Sequence, residues 1–123
     1  MRVLIVDDSR ATRAMIGRIL KELKFETLEA ANGRDALERL RQNGTADLVL
    51  VDWNMPEMNG LEFVKAVRAD SSFRGITLMM VTTETEYENV VTALAAGANE
   101  YIMKPFTKDM IAEKLSILGI SVS

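Results

Sequence analysis

The 123-residue sequence predicts an α/β fold in which helices cover both faces of a five-stranded parallel sheet. Short apolar runs rich in β-branched residues alternate with longer amphipathic stretches from one end of the chain to the other. The apolar runs are continuous, which is typical of strands buried on both faces. A strict strand–helix alternation with short connections favours right-handed crossovers, and therefore a doubly wound sheet.

Three apolar runs are strong strand candidates, and two weaker runs complete the set. The strong runs are 3–6, 48–51 and 76–81, and the weaker runs are 27–30 and 101–103. An amphipathic helical pattern follows each of them. The five stripes are Ala14, Ile16, Ile19, Leu20 and Leu23; Ala36, Leu37 and Leu40; Leu61, Val64 and Val67; Val90, Val91 and Leu94; and Ile111, Leu115 and Leu118. Gly97 is placed like a residue that ends a helix, and Thr107 like an N-cap.

The composition indicates one domain over residues 1–123 and excludes several classes of function. Cysteine is absent, which excludes disulfides, thiolate metal sites and cysteine nucleophiles. Histidine is also absent, so the chain has no histidine acid–base catalyst and no internal phosphohistidine. A net charge of −3 argues against direct nucleic-acid binding and favours a protein partner. No apolar stretch approaches the ~20 residues that span a bilayer, so we expect a cytoplasmic protein with no membrane contact.

Polar side chains follow the predicted strands at their carboxyl ends. Asp7 and Asp8 follow the first strand, Asp52 the third, Thr82 the fourth and Lys104 the fifth. Any one of these could be an ordinary surface residue at the point where the chain leaves the sheet. Because ligand sites of doubly wound sheets lie outside the carboxyl ends of the strands, the whole set predicts one functional edge.

Three carboxylates at one edge repel one another unless a cation neutralises them. Mg²⁺ suits such a site, because it binds one or two carboxylates, retains water ligands and leaves room for phosphate oxygens. An Asp carboxylate can attack phosphorus to form an acyl phosphate, a reaction that mainly requires positioning and charge neutralisation. Mg²⁺ and Lys104 would supply the positive charge, and Thr82 would offer its hydroxyl to a phosphoryl oxygen.

The chain resembles the receiver domains of bacterial two-component response regulators over essentially its whole length. The matching segments are Val6-Asp7-Asp8, Asp52 with Met55-Pro56 and Gly60, Val81-Thr82, and Tyr101 with Lys104-Pro105-Phe106. Segment 52–56 and the trailing Tyr101 are particularly similar to the single-domain chemotaxis regulators. The resemblance implies a flavodoxin-like sheet with strand order 2-1-3-4-5.

The resemblance also implies a role for each acid. Asp52 would be the phosphoacceptor. Asp8, Asp52 and the backbone carbonyl of Asn54 would bind Mg²⁺ directly, and Asp7 would act largely through a metal-bound water. A histidine kinase or a small-molecule phosphodonor would supply the phosphoryl group. The chain would catalyse its own phosphotransfer and autodephosphorylation, and would not turn over an external substrate as an enzyme does.

A conformational switch is the next feature that the resemblance implies. Thr82 and Lys104 would move to contact the phosphoryl group, and Tyr101 would turn inward when Thr82 shifts. An aromatic residue in this position could also be ordinary half-buried packing. The Lys104–Pro105 peptide bond would be cis. The face made by the fourth helix, fifth strand and fifth helix would bind a downstream protein target.

Three positions would tune the lifetime of the phosphoryl group. Asn54 and Glu84 resemble the fast-hydrolysing chemotaxis pattern, which predicts a short-lived signal. Thr83 departs from the family, because many receivers have Ala or Gly there. A larger side chain at that position would narrow access to Asp52 and slow both phosphorylation and its loss.

Three other functions fit the residues less well. A flavin or nucleotide site needs a phosphate-binding first loop, whereas loop 7–12 carries two acids and no glycine. A phosphatase with an aspartyl-phosphate would have its acids one residue apart and a cap insertion, whereas Asp7 and Asp8 are adjacent. A degenerate receiver scaffold would lack the acceptor, the acid pair or the lysine. A stand-alone regulator and a receiver cut from a longer regulator both remain compatible with the sequence.

Overall fold

The five predicted strands form one parallel sheet in the order β2-β1-β3-β4-β5, as the resemblance implied. The computed structural model describes residues 1–42, 46–83 and 88–120. The strands are β1 Arg2–Val6, β2 Glu26–Ala30, β3 Leu48–Asp52, β4 Thr77–Thr82 and β5 Glu100–Met103. The helices are α1 Arg10–Glu22, α2 Gly33–Gln42, α3 Gly60–Ala69, α4 Asn89–Ala96 and α5 Lys108–Ile117, with a 3₁₀ turn at Ser71–Phe73. None of the helices in the described ranges combines the length and apolarity needed to cross a membrane.

The predicted strands differ from the observed ones by one residue at most at either end. The difference matters at two positions, because Asp52 and Thr82 are the last residues of β3 and β4 and do not follow them. Val6 pairs with Val51 across β1 and β3, so the next residues, Asp7 and Asp52, lie side by side. The parallel register therefore brings the acids to one edge before any side chain is considered.

Two apolar clusters cover the two faces of the sheet. One lies under α2, α3 and α4, and the other lies under α1 and α5. β1 and β3 contribute to both clusters, because successive side chains of a strand point to opposite faces. Each buried aliphatic or aromatic side chain contributes about 1.5–3 kcal/mol. The central strands that carry the acids are therefore held firmly from both sides.

Helix caps fix the chain where it leaves the sheet. Ser9 caps α1, and Asn59 forms a reciprocal capping box with Glu62 at the start of α3. Both helices begin next to the acid edge. Thr107 caps α5, and Gly97 ends α4 with a φ of +123°, so the predicted cap and helix end are confirmed.

The predicted stripe of α4 is wrong at two of its three positions. Val90 is buried, but Val91 is 72% exposed and Leu94 is 40% exposed. The helix packs through Val90 and Ala93, which are three residues apart and share a face, whereas Val91 is turned about 100° away. Ala14, which was assigned to the stripe of α1, is also exposed.

Candidate functional site

Three carboxylates meet at the carboxyl edge of β1 and β3. One oxygen each from Asp7, Asp8 and Asp52 lies within 4.8 Å of the others. Asp7 and Asp52 are buried, and Asp8 is exposed. The structure thus brings together the three acids that the sequence singled out. The edge has a solvent-facing side at Asp8 and a side enclosed by protein at Asp7.

One carboxylate oxygen in this cluster is buried without a hydrogen-bond partner among the described residues. Asp7 Oδ1 accepts a hydrogen bond of 2.8 Å from the backbone N–H of Ser9, whereas Asp7 Oδ2 has none. The Lys104 ammonium lies 3.6 Å from Oδ2, which is close enough for an ion pair but too far for a hydrogen bond. Leaving a buried acceptor unsatisfied costs about 1–3 kcal/mol. A hard divalent cation such as Mg²⁺ fits this donor set, because carboxylate oxygens are its preferred ligands.

Lys104 is the cation that the structure places opposite the acids. Its Nζ lies 3.2 Å from Asp52 Oδ1, and its side chain is 24% exposed. The backbone N–H of Lys104 donates to the Thr82 carbonyl at 2.7 Å, which joins the loop after β5 to the end of β4. The Lys104–Pro105 peptide bond is cis, as the resemblance implied. Lys104 therefore contacts two of the three acids from the other side of the edge.

Thr82 is buried beside this lysine, and its hydroxyl donates to the Thr83 carbonyl at 3.2 Å. Thr83 is half-buried, and Asn54 is exposed in the loop that follows β3. The predicted rate-tuning residue Glu84 lies outside the described residues. The structure therefore brings Thr82 to the acid edge and leaves the three rate-tuning assignments as predictions.

Gly60 allows α3 to begin directly against the phosphoacceptor candidate. A Cβ atom at this position would lie 2.5 Å from the Asp52 carbonyl oxygen and 3.0 Å from the Trp53 Cα. The backbone N–H of Gly60 donates to the Trp53 carbonyl at 2.9 Å. Because backbone atoms make the closest of these approaches, only glycine fits here without a shift of the chain.

Arg13 is a residue of this site that the sequence analysis missed. One terminal nitrogen donates to the Asp7 carbonyl at 2.6 Å, and Nε donates to Glu29 Oε1 at 3.0 Å. Its side chain is only 15% exposed. The signal was present in the sequence, because Arg13 lies three residues before Ile16 and seven before Leu20, on the buried stripe of α1. A charged residue on such a stripe indicates a polar partner in the fold.

Tyr101 lies in β5, three residues before Lys104. It is half-buried and packs against the apolar cluster under α2, α3 and α4. The half-buried packing that the sequence analysis gave as the alternative role of this residue is therefore observed. The Lys114 ammonium lies 4.1 Å from the centre of its ring, a contact that the sequence analysis did not predict.

Comparisons with known proteins agree with this arrangement. The family model of the response regulator receiver domain matches residues 3–116. Chemotaxis protein CheY1 of Helicobacter pylori is 48% identical over 119 residues, which cover 96% of this chain and 96% of that protein. The chemotaxis protein CheY homologue of Campylobacter jejuni is 46% identical over 121 residues, with coverage of 97% and 93%. The structure of chemotaxis response regulator CheY4 of Vibrio cholerae superimposes with a TM-score of 0.86 at 38% identity, covering 95% of this chain and 97% of that one.

These matches cover nearly the full length of both partners in each pair, and they fit the observed strand order and acid edge. Receiver domains of this kind are two-component signalling proteins that bind Mg²⁺ at an acidic pocket and interact with histidine kinases and downstream targets. The chain belongs to the response-regulator receiver family and is a homologue of the chemotaxis proteins named CheY.

Proposed function

We propose that this receiver accepts a phosphoryl group on Asp52 in a Mg²⁺-dependent reaction and then changes its binding to a protein target. The observation that carries the proposal is the acid cluster, in which a buried oxygen of Asp7 has no hydrogen-bond partner among the described residues and faces Lys104. We further propose that residues 1–123 form one receiver domain that acts as a stand-alone, chemotaxis-like regulator. A receiver from a longer regulator is the alternative, and the length of the native reading frame distinguishes the two.

Asp52 would be the nucleophile. A carboxylate oxygen forms a bond to phosphorus while the bond from phosphorus to the nitrogen of the donor phosphohistidine breaks. Asp8, Asp52 and the Asn54 carbonyl would hold Mg²⁺, and Asp7 would act through a metal-bound water. Bound Mg²⁺ would neutralise the negative charge of the phosphoryl oxygens. The stable position of Asp52 at the end of a buried strand supports its role as the attacking group.

Lys104 and Thr82 would bind the transferred group. The Lys104 ammonium, now 3.2 Å from Asp52 Oδ1, would pair with a phosphoryl oxygen once that carboxylate is phosphorylated. Thr82 would turn its hydroxyl from the Thr83 carbonyl to a second phosphoryl oxygen. Tyr101 would then change conformer. The new contacts favour one of two pre-existing arrangements, which is a population shift and needs no new fold.

The phosphoryl group would be lost by hydrolysis that the chain itself catalyses, so the protein is a signalling phosphoacceptor and does not turn over an external substrate. Asn54 and Glu84 would favour a short lifetime. Thr83 would oppose them by narrowing access to Asp52, and we expect Thr83→Ala to speed both phosphorylation and its loss.

The phosphoryl donor would be a sensor histidine kinase or a small-molecule phosphodonor, because this chain has no histidine of its own to carry the group. The proposed target face consists of α4, β5 and α5. It carries large exposed apolar side chains on both helices, namely Val91, Leu94, Met110 and Ile117. Exposed apolar side chains on the two helices support a protein-binding role for this face. The proposal implies a cytoplasmic protein that binds neither nucleic acid nor membrane.

Intact-mass measurement after incubation with a small-molecule phosphodonor and Mg²⁺ tests the central claim. The wild-type chain is expected to gain the mass of one phosphoryl group, and Asp52→Asn is expected to gain none. No gain in the wild type, or an equal gain in the variant, would refute Asp52 as the acceptor. A parallel incubation without Mg²⁺ tests the metal requirement, and an undiminished gain there would refute it.

A further inference from the structure

The surroundings of Tyr101 contain a contact that the proposed switch does not use. The Lys114 ammonium lies 4.1 Å from the centre of the Tyr101 ring. The same ammonium lies 3.3 Å from Glu100 Oε1. That carboxylate oxygen also accepts a 2.9 Å hydrogen bond from the backbone N–H of Tyr101. One oxygen atom therefore binds both the backbone of Tyr101 and the cation that lies over its ring.

Both charged side chains in this arrangement are largely shielded from water. The Lys114 side chain is 25% exposed and the Glu100 side chain is 18% exposed. A cation near an aromatic face is held more strongly when it is desolvated. The attraction between two opposite charges is also stronger where water is excluded, because the effective dielectric is lower there. This contact is therefore stronger than an ordinary surface pair of a lysine and a glutamate.

The backbone on both sides of the contact is fixed by the fold. Glu100 and Tyr101 are in β5, which lies at an edge of the sheet. Lys114 is in α5, where its neighbour Leu115 and the preceding Ile111 are completely buried. The lysine stem therefore starts from a rigid helix, and the contact connects that helix to the edge strand.

We propose that Lys114 and Glu100 form a clamp that holds the Tyr101 ring in the conformer seen here and controls how readily the ring leaves it. The inference rests on the proposed function only for the role of Tyr101 as a switch. Lys114 and Glu100 are positioning residues in this account, because they act through Tyr101 and not on the phosphoryl group. The clamp makes the charge at position 100 a determinant of switching.

Fluorine NMR of a single labelled tyrosine tests the clamp. The chain has two tyrosines, Tyr87 and Tyr101, so 3-fluorotyrosine in a Tyr87→Phe background reports on Tyr101 alone. The quantity to measure is the population of the minor ring conformer, obtained by exchange spectroscopy. Lys114→Gln is expected to raise that population about fivefold, the effect of losing a typical cation–π contact. An unchanged population would overturn the proposal.

Three further variants separate the clamp from a local effect of removing a charge beside the ring. Glu100→Gln is expected to raise the minor population as well, although it leaves the lysine in place, because it frees the ammonium. Lys114→Arg keeps a cation over the ring and is expected to behave like the wild type. Lys108→Gln removes an exposed charge from the same helix and is expected to change nothing. A population change in Lys114→Gln without one in Glu100→Gln would refute the role of Glu100.

Addition of a phosphodonor and Mg²⁺ to the same labelled samples separates the clamp from the proposed function. A Tyr101 signal that does not respond to phosphorylation, together with raised minor populations in the clamp variants, would refute the switch and leave the clamp intact. A signal that responds, together with unchanged populations in the variants, would refute the clamp and leave the switch intact. Phosphorylation of Lys114→Gln to the wild-type extent shows that the acid edge is folded in that variant.

Discussion

The acid edge and the clamp at Tyr101 hold charged side chains in opposite ways. Asp7 and Asp52 are deeply buried at the ends of β1 and β3, and one oxygen of Asp7 has no hydrogen-bond partner among the described residues. Glu100 lies on the edge strand β5 and Lys114 on α5, and their partly exposed side chains form an ion pair. The first region carries an unfavourable electrostatic free energy that a ligand can relieve. In the second, each charged side chain has a partner of opposite charge. The proposed function would therefore place the phosphoryl chemistry in the first region and the switch at Tyr101 in the second.

The stiffness of the acid edge is tested by Gly60→Ala, the largest expected effect. The new Cβ would lie 2.5 Å from the Asp52 carbonyl oxygen, which is backbone and cannot swing away. We expect a loss of about 3 kcal/mol in the free energy of unfolding, measured by urea denaturation. Gly75→Ala is the matched control, because nothing lies within 4 Å of its Cβ position. A loss below about 1 kcal/mol would show that α3 can move away from the acid edge.

Asp8→Asn tests how much Mg²⁺ binding at the acid edge stabilises the fold. At a Mg²⁺ concentration of about 100 Kd, the wild type is expected to gain roughly 2.7 kcal/mol of stability. Loss of one ligand is expected to reduce that gain below about 1 kcal/mol at the same concentration. Metal-free stability is expected to change by less than about 0.5 kcal/mol, because Asp8 is exposed. Urea unfolding with and without Mg²⁺ gives both values, and an undiminished gain would contradict Asp8 as a ligand.

Substitution of Arg13 tests whether this residue affects Mg²⁺ affinity through its positive charge or through the hydrogen bond that positions Asp7. Loss of a nearby positive charge alone would strengthen Mg²⁺ binding, whereas loss of the hydrogen bond to the Asp7 carbonyl would weaken it. We expect Arg13→Gln to weaken Mg²⁺ binding about tenfold, as removal of groups that orient metal ligands typically does. Titration of Trp53 fluorescence with Mg²⁺ measures the affinity.

The matched control is Arg18→Gln, which removes an exposed arginine from the same helix. We expect this variant to bind Mg²⁺ as tightly as the wild type. Arg13→Lys keeps the charge but loses the two-nitrogen geometry, and we expect it to weaken binding in the same direction. Tighter Mg²⁺ binding in Arg13→Gln would show that the arginine acts only as a charge.

The smallest expected effect on stability belongs to the clamp. Lys114→Gln is expected to lower the free energy of unfolding by less than about 1 kcal/mol, because its partners remain partly solvated. Urea denaturation beside Lys108→Gln measures the difference. A loss of several kcal/mol would show that the clamp belongs to the rigid part of the molecule, and the contrast between the two regions would fail.

The sequence predicted the acid edge well because parallel register alone produces it. Once β1 and β3 are recognised, Asp7 and Asp52 must meet. The partner of Arg13 could not be predicted in this way, since Glu29 lies on β2 and the pairing depends on how α1 rests against that strand. The contact of Lys114 with Tyr101 depends likewise on the rotation of α5.

The exposed face of α4 was missed for a different reason. The helix has apolar residues around much of its circumference, so periodicity does not decide which face is buried. Val91 and Leu94 were assigned to the core because they are apolar, although Val90 and Ala93 are the residues that pack. An apolar side chain that is exposed and one that is buried look alike in the sequence of such a helix.

Thr82 is attached to its surroundings at two points with different freedom. Its carbonyl accepts the 2.7 Å bond from Lys104 and so fixes the backbone, whereas its hydroxyl donates to the neighbouring Thr83 carbonyl and can rotate about one bond. A rotation of this kind exchanges one hydrogen bond for another and moves no peptide group. In the proposed function, a phosphoryl oxygen would replace the Thr83 carbonyl as the acceptor of that hydroxyl. In the proposed function, Thr82 would therefore respond to the phosphoryl group through its side chain alone, while its backbone stays bonded to Lys104.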